Sequence, residues 1–286
     1  MKGWLIYNKT DAEQNELYID WFIKEAREQN MSLQLILRED LTAGVMRHEN
    51  TVMLHGKPVD LPNFAVVRTI EPLLNLQLES FGIDVYNPSK TAFICNDKAR
   101  THFHLTNSGI PMADTIVVSS RTKLPESAPF NFPFVIKTTS GRGGKQVKLI
   151  TNTQTWQELK RQQLSDNIII QSAAHIQPGK DVRVFVIGND IIGAVMRNNE
   201  HDFRANYKLG GTASWYELDA YETALVRRII DQFEIGMAGI DFLIDKDGQL
   251  VFNEIEDVVG SRTLSAVSDI NILQKYVAHI KNGSSL

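Results

Sequence analysis

The 286-residue chain contains a single cysteine, Cys95. That excludes an intramolecular disulfide and any cysteine-rich metal cluster. It also lacks a long apolar run, since none approaches the roughly 20 residues needed to cross a bilayer. The first residues, Met1 to Asn8, are too short and too polar for a signal peptide. There is no excess of positive charge: 30 Lys and Arg stand against 34 Asp and Glu, a net −4. This excludes a general binder of nucleic acid or of anionic membranes. No internal repeat or low-complexity segment interrupts the chain. The absences lead to the expectation of a cytoplasmic protein with neither nucleic-acid nor membrane partners. What is present is a globular composition, 43% apolar and 22% charged, at a length that allows roughly two domains.

The first third alternates strands and helices. Trp4–Tyr7 is a short apolar strand, and Leu17, Tyr18, Trp21, Phe22 and Ala26 form one helical stripe. Leu33, Leu35 and Leu37 alternate as a strand. Thr51–Leu54 and Pro58–Leu61 read as a hairpin around His55-Gly56-Lys57. Phe64–Val67, a helix near Pro72–Phe81 and a strand at Asp84–Tyr86 complete a rhythm that predicts a parallel sheet. Two helical stretches follow, ending near Gly109. The next strands are Thr115–Val118, Phe134–Lys137, Gln146–Ile150 and Ile168–Gln171, with a helix near Thr153–Leu164. The last third carries paired strands at Val182–Ile187 and Ile191–Met196, a helix at Ala220–Phe233, a hairpin at Ile240–Ile255 and a helix near Ile270–Ile280.

Three segments carry chemistry. Phe134-Val135-Ile136-Lys137 leads into Gly141-Arg142-Gly143-Gly144-Lys145, a strand ending in Lys and then a Gly-rich basic loop. Glycines let backbone N–H groups approach phosphate oxygens, and Lys137, Arg142 and Lys145 supply positive charge. It is not a Walker loop, because no Gly-Lys-Ser/Thr opens a helix; taken alone, the segment reads better as an ordinary basic surface hairpin than as a phosphate loop. In the hairpin at Ile240–Ile255, a turn closed by Ile244 and Gln249 puts Asp241 opposite Phe252 and Glu254 diagonal to it. Strand period two then leaves Asp241, Glu254 and Glu256 on one side. Three same-face acids fit a hard divalent ion such as Mg²⁺, or a solvated acidic strand end. The third segment, Asp202-Phe203-Arg204-Ala205-Asn206 and Gly210-Gly211-Thr212-Ala213-Ser214, offers Arg204 as a fork for phosphate, or reads as a polar loop.

Taken together, these segments resemble the ATP-grasp ligases of the RimK type, which add glutamate to ribosomal protein, and their amino-acid-ligase relatives. The resemblance runs from Leu54-His55-Gly56-Lys57-Pro58 to the C-terminal carboxylates. Its most specific parts are Asp181-Val182-Arg183, Asp202 to Asn206, Gly210 to Ser214 and Ala238-Gly239-Ile240-Asp241. Asn96-Asp97-Lys98-Ala99-Arg100 and Gly109-Ile110-Pro111 match the entry to the core.

The resemblance implies an α/β and α+β fold, with an N-terminal parallel-sheet pre-ATP-grasp domain (residues 1–95) before a two-lobed ATP-grasp core. The central lobe would span 96–172 and the C-terminal lobe 173–286. It implies ATP with two Mg²⁺ ions, Mn²⁺ being a substitute, and a carboxylate–amine ligation through an acyl phosphate. The carboxylate and amine partners would include an amino acid, peptide or protein tail, and the protein would be a homo-dimer or tetramer.

By the same resemblance, Lys98 and Lys137 contact the ATP phosphates under the loop Gly141, Arg142, Gly143, Gly144 and Lys145. Gln171, Ser172 and Ala173 form the hinge strand at adenine. Asp181 sits at a nucleotide-binding position, and Arg183, Arg204 and Asn206 face the phosphates. Asp241, Glu254 and Glu256 hold the metals. Arg262 lies in a segment that departs from the family pattern and reads either as a holder of a substrate carboxylate or γ-phosphate oxygen or as a surface arginine.

Three departures stand out: Ser172-Ala173 where the hinge usually carries an acid and an aromatic, Glu256 for the usual Asn, and Asp257 to Thr263 in place of Ser-Pro-Gly. They motivate two alternatives, an ATP-binding scaffold with weakened chemistry and an ATP-grasp kinase. The absence of a Ser-His-Asp or Cys-His signature fits a reaction whose covalent intermediate forms on the substrate.

Overall fold

The computed structural model describes residues 1–144, 146–205 and 210–283. In the first third, β1 (Lys2–Tyr7) is followed by α1 (Lys9–Gln14), α2 (Glu16–Glu28) and β2 (Ser32–Leu37). The Asn8 side chain accepts from the Asp11 N–H at 2.8 Å, capping α1. α2 turns Ile19, Phe22 and Ala26 inward, and Leu17 stays outside. A small antiparallel sheet of β3 (Leu41–Met46), β4 (Glu49–Leu54) and β5 (Lys57–Pro58) then intervenes. Here the sequence reading needs correction. The second strand stops at Pro58, and Leu41–Met46, not anticipated as a strand, pairs along the whole of β4. Gly44 and the exposed Val45 and Met46 give β3 no alternating signal, and Pro58 has no N–H to extend a ladder.

β6 (Phe64–Val67), α3 (Pro72–Ser80) and β7 (Asp84–Tyr86) complete a parallel sheet of order β2-β1-β6-β7. Every residue of β6 is buried, as a central parallel strand covered on both faces requires.

α4 (Ser89–Cys95) and α5 (Lys98–Leu105) lead into an antiparallel sheet. It comprises β8 (Thr115–Val118), β9 (Phe134–Thr138), β10 (Val147–Ile150) and, after α6 (Thr153–Lys160), β11 (Ile168–Ser172). The order is β10-β9-β11-β8. α6 opens with an Asn152 capping box, buries Trp156 against Phe134, and ends at Lys160 rather than Leu164.

The last sheet has β12 (Ile176–Ile187), β13 (Asp190–Asn198), β14 (Thr212–Tyr216), β15 (Met237–Asp245) and β16 (Leu250–Glu256), in the order β14-β13-β12-β15-β16. α7 (Ala220–Ile230) lies between β14 and β15, and α8 (Arg262–Val267) and α9 (Ile272–Gly283) close the chain. β14 and α8 escaped the sequence reading. β14 is a polar edge strand without strict alternation, and α8 is a six-residue helix, too short to show a period.

This is the expected α/β and α+β architecture, a parallel sheet followed by two antiparallel lobes. The parallel sheet shares a core with the last lobe: Leu5, Phe22, Phe185, Met237 and Tyr276 belong to one buried cluster, with Phe22 and Tyr276 rings 5.6 Å apart. Each such side chain contributes about 1.5–3 kcal/mol on burial. Asn87 clamps the same junction. Its amide donates to the carbonyls of Met237 (2.9 Å) and Asp257 (2.8 Å) and accepts from the Gly236 and Met237 N–H groups. Cys95 is buried, and burial pushes its thiol well above the ordinary range. Among the described residues no helix is long and apolar enough to cross a membrane.

Candidate nucleotide and metal site

The carboxylate hairpin does not close as its turn suggested. Ile244 pairs with Leu250, and a bulge between Asp241 and Phe242 puts Asp241 opposite Glu254 and Gly239 opposite Glu256. The turn closes one residue later than counted, and the bulged Asn253 adds the second residue of the shift. The consequence for chemistry is the expected one, reached by a different register. Ligand oxygens of Asp241, Glu254 and Glu256 all lie within 4.8 Å of one another.

Neighbouring strands add cations in register. Arg183 on β12 lies opposite Asp241 on β15, and Asp181 on β12 lies opposite Arg197 on β13. Arg183 grips Asp241 with two bonds, 2.7 and 2.6 Å, and reaches Glu256 at 2.8 Å. Arg197 grips Asp181 at 2.6 and 2.7 Å and donates to Asp241 at 2.8 Å. Burial works against the Asp241 charge, but Arg183 and Arg197 outweigh it and hold the carboxyl at about 2. Burial wins at Asp181, which is pushed up to about 6 despite Arg197.

The phosphate-side residues converge from the central lobe. Lys98 opens α5, and its Nζ donates to Gly141 O (2.5 Å) and meets Glu254 at 3.1 Å. Lys137 near the end of β9 donates to Asn253 Oδ1 at 2.7 Å. Burial, with Lys98 nearby, brings the Lys137 ammonium down to about 8. Arg142 in the Gly-rich loop binds Asn96 and, at 2.8 Å, Asp257. Arg204 holds Asp202 at 3.0 and 2.6 Å and donates to Gly144 O at 2.5 Å, reaching the loop from the opposite lobe. Gly141 admits no side chain, because a Cβ there would stand 2.3 Å from Thr138 Oγ1. Gly143 and Gly144 have φ of +64° and +71°, which glycine adopts without strain.

Between the lobes lies a cavity of about 300 Å³. Its lining includes the apolar Val135, Leu149, Ile176 and Leu243 and the charged Lys98, Lys137, Arg197, Arg204, Asp241 and Glu254. Gln171, Ser172 and Ala173 line it, as do Asp181 and the loop residues Gly141 to Gly144. The N–H groups of Ser172 and Ala173 are already donated, to Asp114 O at 2.9 Å and Pro133 O at 3.2 Å. Those two donors are therefore committed to the protein.

Arg183 and Glu256 do not line the cavity; they stand behind Asp241. Arg262 is exposed at the start of α8 and does not line the cavity either. Lys145 and Asn206 lie outside the described residues. Two residues were missed by the sequence reading. Arg197 was findable: extending the Val182–Met196 pairing by one step puts it opposite Asp181. Asn253 was not, because its position depends on the bulge.

A cavity lined by apolar side chains, lysines, a Gly-rich loop and clustered carboxylates, between two antiparallel lobes, defines an ATP-grasp protein. The RimK-like ATP-grasp domain matches residues 95–280, and the chain belongs to that family. It is 30% identical over 217 residues to the glutamate–LysW ligase ArgX of Sulfurisphaera tokodaii, covering 73% of this chain and 76% of that one. It is 27% identical over 289 residues to the MG011 homolog of Mycoplasma pneumoniae, covering 98% and 94%. The structure of a RimK domain ATP-grasp protein from Sphaerobacter thermophilus superposes with a TM-score of 0.73 at 19% identity, over 99% of this chain and 98% of that one.

Proposed function

We propose that the protein is an ATP- and Mg²⁺-dependent carboxylate–amine ligase that works through an acyl phosphate. The observation that carries this reading is the charged lining of the cavity, where Lys98 meets Glu254 and Arg197 meets Asp241. Lys98, Lys137, Arg142 and Arg204 would bind ATP phosphates, with Lys145 and Asn206 assigned there from the family pattern. Asp241, Glu254 and Glu256 would hold Mg²⁺, a hard cation suited to carboxylate oxygen. Mg²⁺ when bound neutralises charge on the transferred phosphoryl group.

The chain's own work is positioning. Arg183 and Arg197 keep Asp241 ionised, and Arg183 keeps Glu256 beside it. The Gly-rich loop, tied down through Arg142 and Arg204, excludes water that would hydrolyse an acyl phosphate. No protein nucleophile is required. The buried Cys95 thiol is held protonated and takes no part.

Residues 1–95 act as the substrate-facing domain in this reading, with 96–172 and 173–286 as the two lobes. The glutamate–LysW ligase name of one relative supports an amino acid as one substrate. The test is ADP release across carboxylate and amine pairs, with hydroxylamine as a trap. ADP formed with a carboxylate alone, and a stable phosphorylated product, would replace the ligase by a kinase.

A further inference from the structure

Arg68 follows β6, is 9% exposed and takes no part in the ATP cavity. Its Nε donates to Tyr7 Oη at 3.2 Å and its Nη2 to Val259 O at 2.9 Å. Its guanidinium carbon lies 5.4 Å from the Tyr18 ring centre and 5.9 Å from that of Tyr7. Among the described residues no Asp or Glu forms an ion pair with it. Asp257 feels its charge, but that carboxylate is taken by Arg142 (2.8 Å) and Asn96 (2.9 Å). A buried guanidinium served only by a phenol, a carbonyl and ring faces is costly, and an anion beside it recovers that cost. The Tyr18 hydroxyl is a second unsatisfied group here, buried with no hydrogen-bond partner.

The position in the fold points the same way. In the order β2-β1-β6-β7 the chain leaves β1 to one side for β2 and returns on the other as β6. Tyr7 ends β1 and Arg68 follows the end of β6, so both stand at the carboxyl edge where strand order reverses. Open parallel sheets bind ligands there. The opposite wall is the loop after the metal strand. Val259 packs over Gly239, where an added Cβ would meet Val259 Cγ2 at 2.7 Å and Arg183 Cδ at 3.4 Å. Gly239 lies opposite Glu256. Arg68 thus ties down the loop that follows β16 and does not line the ATP cavity.

We infer that Arg68, with the Tyr7 and Tyr18 hydroxyls, is the subsite for the α-carboxylate of an amino-acid substrate. Arg68 does not line the ATP cavity, so the carboxylate it holds is one that is bound and not phosphorylated.

This assignment rests on the ligase reading, and its test separates the two. Wild type, Arg68→Gln and Tyr7→Phe are loaded with Mg²⁺ and a non-hydrolysable ATP analogue. Each is then titrated with the twenty proteinogenic amino acids as free acids and as α-carboxamides, by thermal shift and calorimetry. At least one free acid should bind wild type about 30-fold or more tightly than its carboxamide. Arg68→Gln should lose that preference while its response to the ATP analogue is unchanged, and Tyr7→Phe should weaken the acid several-fold and the amide not at all. Tyr7→Phe carries the test if Arg68→Gln does not fold. Equal binding of every acid and amide by wild type overturns the assignment, as does an undiminished acid preference in the variants. Failure of wild type to bind the ATP analogue overturns the ligase reading instead.

Discussion

In the proposed site, Lys137 couples ATP binding to pH. Lys137 is 8% exposed, its Nζ donates to the uncharged Asn253 Oδ1, and burial brings its ammonium from 10.5 down to about 8. A drop of about 2.5 units is about 3 kcal/mol held against the charged form. ATP phosphates beside it restore the charge and raise the value toward that of a free lysine. The sign follows. Below about pH 8 the lysine is already protonated and contributes no pH dependence. Above it, binding takes up a proton, so ATP affinity falls up to about tenfold per pH unit, about 300-fold in all by pH 10.5. Without ATP the folded state holds fewer protons than the unfolded chain in that window, so stability rises with pH there. Calorimetry in buffers of different ionisation enthalpy, from pH 7 to 10, reads both the affinity and the protons. Lys137→Met should flatten the profile. A wild-type affinity constant from pH 7 to 10 with no proton uptake refutes the reasoning.

The metal carboxylates should separate by stability. Asp241→Asn breaks a buried cluster of three charge-assisted bonds and should cost about 3–5 kcal/mol in denaturant unfolding. Glu256→Gln weakens one Arg183 contact at a side chain 26% exposed and should cost about 1–2 kcal/mol. Both should lower turnover at least 100-fold, and an active Glu256→Gln enzyme would remove Glu256 from the metal set. Arg142→Ala leaves the buried Asp257 carboxylate to Asn96 alone and should cost about 1–3 kcal/mol, and it should raise the KM for ATP about tenfold. An unchanged KM would show that the loop closes without that tie. Burial lowers His102 to about 4, with its Nε2 against Asn253 O at 3.1 Å. Its contribution is present above pH 6.5 and lost as pH falls toward 4, up to about 3 kcal/mol. The raised Asp181 works in the opposite sense between about 6 and 4. The readout is therefore the difference in Tm between wild type and His102→Gln, which should shrink on acidification; parallel curves would contradict it.

The sequence made the architecture readable wherever a period or a turn was strong. The helical stripe through Phe22 and Ala26, the apolar Phe64–Val67 and the Lys137–Gly144 strand-to-loop passage all became what their patterns imply. Polar or short elements were not legible: β3 around Gly44, the edge strand β14 and the six-residue α8. The carboxylate trio was legible because strand alternation survives a counting error. Its register was not, since a bulge at Asn253 leaves no mark in the residue types. Arg183 shows how position and role differ. The motif located it, but only the β12–β15 register reveals that it faces Asp241 and Glu256 from behind the cavity. Arg68 was invisible, because its meaning is the absence of an acid beside it.

The central claim is that ATP activates a carboxylate for attack by an amine. The direct measurement is hydroxamate formation from a panel of amino-acid and peptide carboxylates with hydroxylamine, ATP and Mg²⁺, scored against ADP. One hydroxamate per ADP for at least one carboxylate, lost in Glu254→Gln, is the predicted result. Tight Mg²⁺-dependent ATP binding with neither hydroxamate nor ADP from any carboxylate would contradict it.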